Sequence, residues 1–135
     1  MASTYQLPLQ SSTQNAVLQI FAPSSEQEIH RVLKDHGIWI TVNPAANHLF
    51  EMKQALYDSP NEHTTQLKVP AGFVLQQQLN VNFELPLTEP QHCENLLMMT
   101  PYYWSATAEK KQQLIANLTT ITADFDICVF CKQSV

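Results

Sequence analysis

The densest group of side chains able to bind a ligand is Thr100-Pro101-Tyr102-Tyr103-Trp104. Three adjacent aromatic rings could wall a pocket for a planar ligand such as a flipped base, which is held by stacking and by hydrogen bonds to its edge. The same rings could instead pack in the core, between the last helices and a sheet. From the residues alone, both interpretations stay open.

Two cysteines near the carboxyl terminus, Cys128 and Cys131, form a C-x-x-C motif. A redox pair needs its first thiol at a helix start, where the thiol pKa is lowered. Here the pair lies in an apolar segment that is typical of a strand, so the two side chains point to opposite faces. A zinc site would need two more ligands at matching spacing, and none is evident. We therefore predict two core thiols and no metal site.

The five histidines are scattered, and none forms an H-x-x-x-H pair. His48 differs from the others by its location, because it follows Asn43-Pro44 at the carboxyl end of a predicted strand. From spacing alone, a surface histidine at the start of a helix is the favoured interpretation, and a ligand-binding role is the alternative.

Composition limits the possible functions. The chain has 135 residues, enough for one domain, and its 44% hydrophobic content is enough for a core. Its formal net charge of −5 argues against a large electrostatic footprint for nucleic acid in this chain alone. Its two glycines, Gly37 and Gly72, are too far apart for a glycine-rich phosphate or cofactor loop.

The same composition predicts a cytoplasmic location. An odd number of cysteines, three, fits a reducing cytoplasm better than a disulfide scaffold. No apolar run reaches the roughly 18 residues of a membrane helix, and residues 1–4 do not begin like a signal peptide. We therefore expect no membrane partner.

The elements that would position these residues begin with an apolar strand over Ala16–Phe21. Its composition suits a strand buried on both faces, as in a parallel sheet covered by helices. Pro23 ends it, and Ser24 or Ser25 can cap a helix that extends to about Lys34. A second strand, Ile38–Val42, completes a parallel, right-handed βαβ unit. Phe21, Ala22 and Pro23 then lie at the carboxyl end of a strand, where open α/β sheets bind ligands.

Together with the rest of the chain, these elements give the order β-α-β-α-β-α-α-β, which predicts an α/β fold. The predicted elements are a helix over 48–57, a loop over 58–72, a strand over 73–85, a helix from a capping box at Thr88 to Met98 or Met99, a helix over 108–118 and a strand over 119–131.

Several blocks of residues together resemble the large-subunit ribosomal RNA guanine-N1 methyltransferases, and the resemblance covers almost the whole chain from about Ser3. The blocks are Leu7-Pro8, Ile20-Phe21-Ala22-Pro23, Thr41-Val42-Asn43-Pro44, His48-Leu49-Phe50-Glu51-Met52-Lys53, Leu97 through Thr107, and Thr122-Ala123-Asp124-Phe125-Asp126-Ile127. The resemblance implies a Rossmann-like sheet that uses S-adenosylmethionine, with antiparallel carboxyl-terminal strands, and methyl transfer to a guanine ring nitrogen in rRNA.

The resemblance also implies roles for individual residues. Phe21, Ala22 and Pro23 hold the place of the loop that lines the methyl-transfer site. His48 resembles a residue on the cofactor side. The turn before Leu7 contacts adenine in such folds, and here Ser3 and Thr4 occupy it. Thr100, Pro101, Tyr102, Tyr103 and Trp104 would wall the guanine. Glu51, Asp124 and Asp126 are the acidic residues in matching blocks, and the sequence does not choose a general base among them.

The family's zinc module and glycine-rich cofactor loop have no counterpart in this sequence. The resemblance is therefore to the carboxyl-terminal half of the catalytic domain, and we expect no catalysis and no cofactor binding by this chain alone. Such a half would leave the strand Ala16–Phe21 with an exposed apolar edge, which favours a homodimer. The alternative is a non-enzymatic module that binds a nucleoside or a protein.

Overall fold

The computed structural model describes residues 5–57 and 67–134. These residues form four strands and five helices. They are β1 Gln14–Ile20, α1 Glu26–Val32, β2 Leu33–Pro44, α2 Phe50–Leu56, β3 Phe73–Pro86, α3 Pro90–Met98, α4 Tyr102–Ser105, α5 Ala108–Asn117 and β4 Thr120–Lys132. The order matches the predicted one, with α4 as an additional single turn.

The strands form one four-stranded sheet in the order β1-β2-β4-β3. β1 and β2 pair in parallel, from Ala16 opposite Ile38 to Ile20 opposite Val42. β2 and β4 pair antiparallel, with Trp39 opposite Phe130. The predicted α/β class, the parallel βαβ unit and the antiparallel carboxyl-terminal strands are therefore confirmed.

The chain divides into two compact units, and each is described by itself. Unit 1 comprises residues 1–44, 66–81 and 125–135. Its core lies on one face of the sheet, beneath α1. Its buried members are Ile29, Leu33, Trp39, Phe73, Cys128 and Phe130. Trp39 lies near two other core rings, with centroids 5.1 Å from Phe73 and 5.6 Å from Phe130.

The opposite face of the unit 1 sheet is apolar but has no helix of unit 1 against it in the described residues. Leu18 is 62% exposed and Ile20 is 56% exposed. The prediction that the first strand is buried on both faces is therefore wrong. The reason is that β1 is an edge strand and that α1, the one helix among the described residues of unit 1, covers the other face of the sheet. The predicted exposed apolar edge is confirmed.

Helix α1 begins as predicted and ends early. The Ser25 hydroxyl accepts the N–H of Glu28, which is the expected cap, but the helix ends at Val32 rather than at Lys34. The segment before β1 is fastened to this helix, because Arg31 donates to the Leu7 carbonyl at 3.1 Å and the Leu7 N–H donates to Glu28 at 2.9 Å. The contact with Arg31 lowers the pKa of Glu28 to about 2.

Unit 2 comprises residues 45–65 and 82–124. Helices α2, α3 and α5 contribute to its core. The buried members are Met52, Leu56, Leu87, Cys93, Leu97, Leu114 and Ile121. The Thr107 hydroxyl caps α5 as the sequence indicates, by accepting the N–H of Lys110.

The second predicted capping box, at Thr88, is wrong. The N-cap of α3 is Glu89, and its side chain makes no capping hydrogen bond. Pro90 sets this boundary, because its fixed φ suits the first helical position. The Thr88 hydroxyl instead lies 3.3 Å from the Nδ1 atom of His92.

Candidate functional site

The carboxyl ends of β1 and β2 lie at one edge of the unit 1 sheet, because the two strands are parallel. β4 is antiparallel to β2, so its unit 1 portion begins at the same edge, with Phe125 opposite Pro44 and Asp126 opposite Asn43. We call this the carboxyl edge. Topology thus brings three separate segments of the chain to the place where open α/β sheets bind ligands.

Phe21 makes the sharp exit from β1. Its N–H donates to the Val42 carbonyl at 3.0 Å, one residue beyond the strand, and its φ of +50° then turns the chain. A positive φ is rare for a bulky side chain. The Gln19 amide donates to the Ala22 carbonyl and closes the turn. The Phe21 ring, 49% exposed, lies 5.6 Å from the Phe125 ring. The predicted site residues Phe21, Ala22 and Pro23 are all exposed at this edge.

A polar pair joins β3 to β4 at the carboxyl edge. The Asn80 amide nitrogen donates to the Asp126 carboxylate at 3.0 Å and to the Phe125 carbonyl at 3.2 Å. Asp126 is half-buried, and Asn43, its partner across the β2–β4 ladder, is exposed. Opposed residues of an antiparallel pair have their side chains on the same face, with Cβ atoms about 4.5–5.5 Å apart. Asn43 and Asp126 are therefore neighbours on the surface.

His48 lies in unit 2, in the turn before α2, and its ring is used by the fold. Its Nδ1 atom accepts the N–H of Asp124 at 3.1 Å, so the neutral ring carries its proton on Nε2. Burial, and then the charge of Lys53, lowers the pKa of His48. The Asp124 carboxylate accepts the N–H of Asn47 at 3.1 Å, which closes the network. The helix starts at Phe50, two residues later than predicted, because Asn47 and His48 belong to this turn.

Glu51 is also engaged within unit 2. Its carboxylate accepts the Thr122 hydroxyl at 2.5 Å and the Thr122 N–H at 2.9 Å. Burial opposes ionisation of Glu51, but these hydrogen bonds outweigh it and leave its pKa lowered. The Leu49 N–H donates to the Thr122 carbonyl in return, at 2.9 Å. Glu51 therefore ties α2 to β4.

The aromatic block in unit 2 has an inward part and an outward part. Thr100 is buried and donates its hydroxyl to the Leu97 carbonyl at 2.7 Å. Tyr102 packs on the unit 2 core, and its ring lies 5.7 Å from that of Tyr57, edge to face. Thr100 and Tyr102 therefore pack in the interior of unit 2, as the core-packing interpretation predicts.

Trp104 is the outward part, with 84% of its side chain exposed. It meets the Tyr103 ring edge to face at 5.2 Å. The Lys111 ammonium lies 4.2 Å from the centroid of the same tyrosine ring, a cation–π contact. Pro101, also exposed, precedes the helical turn that carries them. The result is an open aromatic surface with an adjacent positive charge, rather than an enclosed pocket.

The two glycines, Gly37 and Gly72, both lie close to other parts of the protein. A Cβ added at Gly37 would meet the Lys34 carbonyl at 2.8 Å, and one at Gly72 would meet the His30 ring at 2.8 Å. Ser3 and Thr4, the predicted adenine contacts, lie outside the described residues.

Residues 5–57 and 67–134 contain neither a candidate metal cluster nor a candidate membrane helix. No group of three or more histidine, cysteine or acidic side chains could hold a metal ion there. Cys128 is buried, Cys131 is half-buried, and both are free thiols. None of the helices in these ranges has the length and apolarity needed to cross a bilayer.

Asn43 and Asn80 are candidate site residues at the carboxyl edge that the sequence alone does not indicate. Both lie in strands where neighbouring amides and apolar residues give no local sign of function. Their significance comes from strand register, which places one beside Asp126 and gives the other a hydrogen bond to it. A sequence pattern does not encode register between distant strands.

Comparison with known proteins gives one curated relative and several structural ones. No protein-family profile matches the sequence. A Bacillus subtilis (strain 168) protein, described as "Putative 23S rRNA (guanine-N(1)-)-methyltransferase YxjB", is 31% identical over 138 residues, covering 98% of this chain and 49% of that protein. The chain therefore spans about half the length of the curated relative it matches.

Two solved structures show the same fold. A Bacillus halodurans C-125 protein described as a "putative methyltransferase (BH2331)" has a TM-score of 0.54 and 13% identity, covering 98% of this chain and 70% of that one. The MccD protein has a TM-score of 0.52 and 15% identity, with coverages of 98% and 66%. At such identities the likeness concerns the fold alone.

Proposed function

We propose that this chain supplies the carboxyl-terminal half of the catalytic domain of a 23S rRNA guanine-N1 methyltransferase, because nearly all of its length matches about half of the B. subtilis protein. The 31% identity over 98% of the chain carries the proposal. The β1-β2-β4-β3 order, with a parallel pair followed by antiparallel strands, agrees with it. The substrate would be a guanine in large-subunit rRNA.

We place the acceptor site at the carboxyl edge of unit 1. The exposed Phe21, Ala22 and Pro23 would line the place where donor and guanine meet. His48, Ser3 and Thr4 remain proposed contacts on the cofactor side. S-adenosylmethionine, when bound, would supply an electrophilic methyl group. We propose that transfer also requires the part of the family domain that this sequence does not match.

Trp104 is proposed to stack on an unpaired base of the RNA. A base that is methylated after flipping occupies a snug pocket, whereas Trp104 is 84% exposed. Open aromatic platforms beside positive charge are typical of single-stranded nucleic acid binding. Trp104 with Lys111 therefore suits an unpaired nucleotide of the RNA better than the target guanine itself. Thr100, Pro101, Tyr102 and Tyr103 would hold this platform in position.

The proposal is tested by joining two halves. The chain is mixed with the half of the B. subtilis protein that it does not match, radiolabelled S-adenosylmethionine and a 23S rRNA hairpin, and nucleosides are analysed for 1-methylguanosine. We expect product from the mixture and none from either half alone. Absence of product, with both halves folded and associated, would contradict the proposed function. RNA binding without product would instead indicate a non-enzymatic binding module.

A matched pair of variants tests the platform. Trp104→Leu should weaken binding of a single-stranded RNA loop about 5- to 150-fold, because a stacked base is worth about 1–3 kcal/mol. Met99→Leu is the control, since Met99 is a similarly exposed apolar residue of unit 2, at 83%. Equal affinities for Trp104→Leu and the control would refute stacking at Trp104.

We further propose that the chain forms a homodimer through the β1 edge. β1 carries no charged residue and no proline, the usual protections of an edge strand. Its exposed Leu18 and Ile20 offer apolar surface beside that edge. Leu18→Lys should therefore give a monomer in light scattering, while Val81→Lys, on the other edge strand, should not. A monomeric parent chain, or dissociation by Val81→Lys alone, would contradict the assignment.

A further inference from the structure

The structure distinguishes among the three acidic residues in the matching blocks. Both oxygens of the Glu51 carboxylate accept hydrogen bonds from Thr122. Asp124 is only 4% exposed and accepts the N–H of Asn47. These two carboxylates hold unit 2 together. Asp126 alone of the three lies at the carboxyl edge of unit 1, half-buried and near solvent.

Asn80 orients the Asp126 carboxylate. Its amide nitrogen donates to Asp126 Oδ1 and to the Phe125 carbonyl, and both of these partners can only accept. The amide orientation is therefore fixed by chemistry, since the flipped form would set an oxygen against two acceptors. The carboxylate keeps a second oxygen, Oδ2, with which to accept hydrogen bonds at the edge.

The pair Asn43 and Asp126 presents a donor beside an acceptor. They are opposed across the β2–β4 ladder, so an amide N–H₂ group and a carboxylate share one face. The N1 edge of guanine carries the complementary series: the O6 acceptor, the N1–H donor and the N2–H₂ donor. A carboxylate can accept from N1–H and N2–H₂ together, while an asparagine amide donates to O6.

We infer that Asp126 and Asn43 read the N1 edge of guanine, with Asn80 as the positioning residue for Asp126. The inference rests on the proposed function and concerns the hydrogen bonds to the edge of the guanine. Adenine would set its N1 lone pair against the carboxylate. Uracil would match at its central N–H but would set a carbonyl where guanine has its amino group. A buried or half-buried acceptor left facing another acceptor rejects the wrong base strongly.

A nucleotide titration tests the inference on the chain itself. Guanosine, adenosine and N1-methylguanosine monophosphates are added to isotope-labelled protein, and backbone amide shifts are followed by NMR. We expect a preference for the guanosine nucleotide, with the largest shifts around Asn43, Asn80 and Asp126. Asp126→Asn should weaken its binding about tenfold or more, because the contact involves a charged acceptor. It should also remove discrimination against the N1-methylated form.

The control is Asp35→Asn, the same chemical change at an exposed position at the other end of β2. It should leave the preference intact. Asn80→Ala should weaken binding less than Asp126→Asn, since it only frees the carboxylate. Equal binding of all three nucleotides, or unchanged binding by a folded Asp126→Asn variant, would overturn the inference.

The two-half methylation assay separates this inference from the proposed function. If the mixed halves make 1-methylguanosine and Asp126→Asn does so equally well, the function stands and the base contact is wrong. If no methylation occurs but guanosine monophosphate still binds in an Asp126-dependent way, the contact stands and the proposed function fails.

Discussion

The turn that leads into β3 depends on Gly72, and its substitution gives a quantitative test of unit 1. Gly72 has a φ of +84°, and a Cβ built there would lie 2.8 Å from both Cδ2 and Nε2 of His30. His30 in turn packs edge to face on Phe73, with ring centroids 5.4 Å apart. Gly72→Ala therefore imposes a strained backbone and displaces the His30 ring from its place against Phe73.

The expected cost is the sum of two effects. An L-residue in the left-handed region costs about 1–2 kcal/mol. Loss of an edge-to-face aromatic pair costs about 0.5–1.5 kcal/mol. Gly72→Ala should therefore lower the free energy of unfolding by about 1.5–3.5 kcal/mol. Only the second part depends on His30.

A double-mutant cycle separates the two parts. Urea unfolding is followed by the fluorescence of Trp39, which is 3% exposed and reports unit 1. In a His30→Ala background, the cost of Gly72→Ala should fall to about 1–2 kcal/mol, because backbone strain alone remains. Gly37→Ala is the control, since its new Cβ would meet the Lys34 carbonyl rather than His30.

The outcome that refutes this reasoning is absence of coupling. If Gly72→Ala costs the same with and without the His30 ring, the close approach is not what restricts this position. A cost below about 0.5 kcal/mol in the parent chain, the range of ordinary surface changes, would refute the backbone argument as well.

Three further predictions concern unit 2. The lowered pKa of Glu51 means that its ionised form stabilises the fold above pH 4.5 and that this stability is lost as pH falls through the folded pKa. Glu51→Gln should therefore reduce the change of the urea midpoint with pH between about pH 5 and 3. An unchanged slope would exclude its bonds to Thr122 as the cause. His48 also has a lowered pKa, so the free energy of unfolding should fall as pH drops below 6.5. His48→Asn keeps an acceptor for the Asp124 N–H and should remove that pH dependence. The same pH dependence in His48→Asn would show that other groups cause it. Thr107→Ala should cost about 1 kcal/mol in urea unfolding, whereas no loss would show that the cap is dispensable.

The predictions that succeeded rest on local chemistry. Ser25 caps a helix through a hydrogen bond that acts within a few residues. The parallel pairing of β1 with β2 follows from the length and handedness of the helical connection. Thr107 is a further local success. The failure at Thr88 is also local, because Pro90 competes for the same boundary and its ring fixes the first helical residue.

The predictions that failed or were missed depend on distant parts of the chain. The strand composition of β1 predicts burial on both faces, but nothing within β1 specifies what covers each face. In the same way, the chemistry of Asp126 is visible in the sequence while its neighbours Asn43 and Asn80 are not. Their proximity is set by the register of three strands, and a one-residue slip would move each side chain to the other face.

Two of the apolar surfaces left outside the two cores differ in the groups that surround them. Leu18 and Ile20 lie on one face of an edge strand, where unpaired backbone groups accompany the apolar surface, so the matching partner is another strand. Trp104 lies on a single helical turn with the Lys111 ammonium over the neighbouring ring, so the matching partner combines a flat face with negative charge. A nucleotide has both properties. Exposure alone would not distinguish these surfaces, but the groups that surround each one favour the proposed strand partner for the first and the proposed nucleotide for the second.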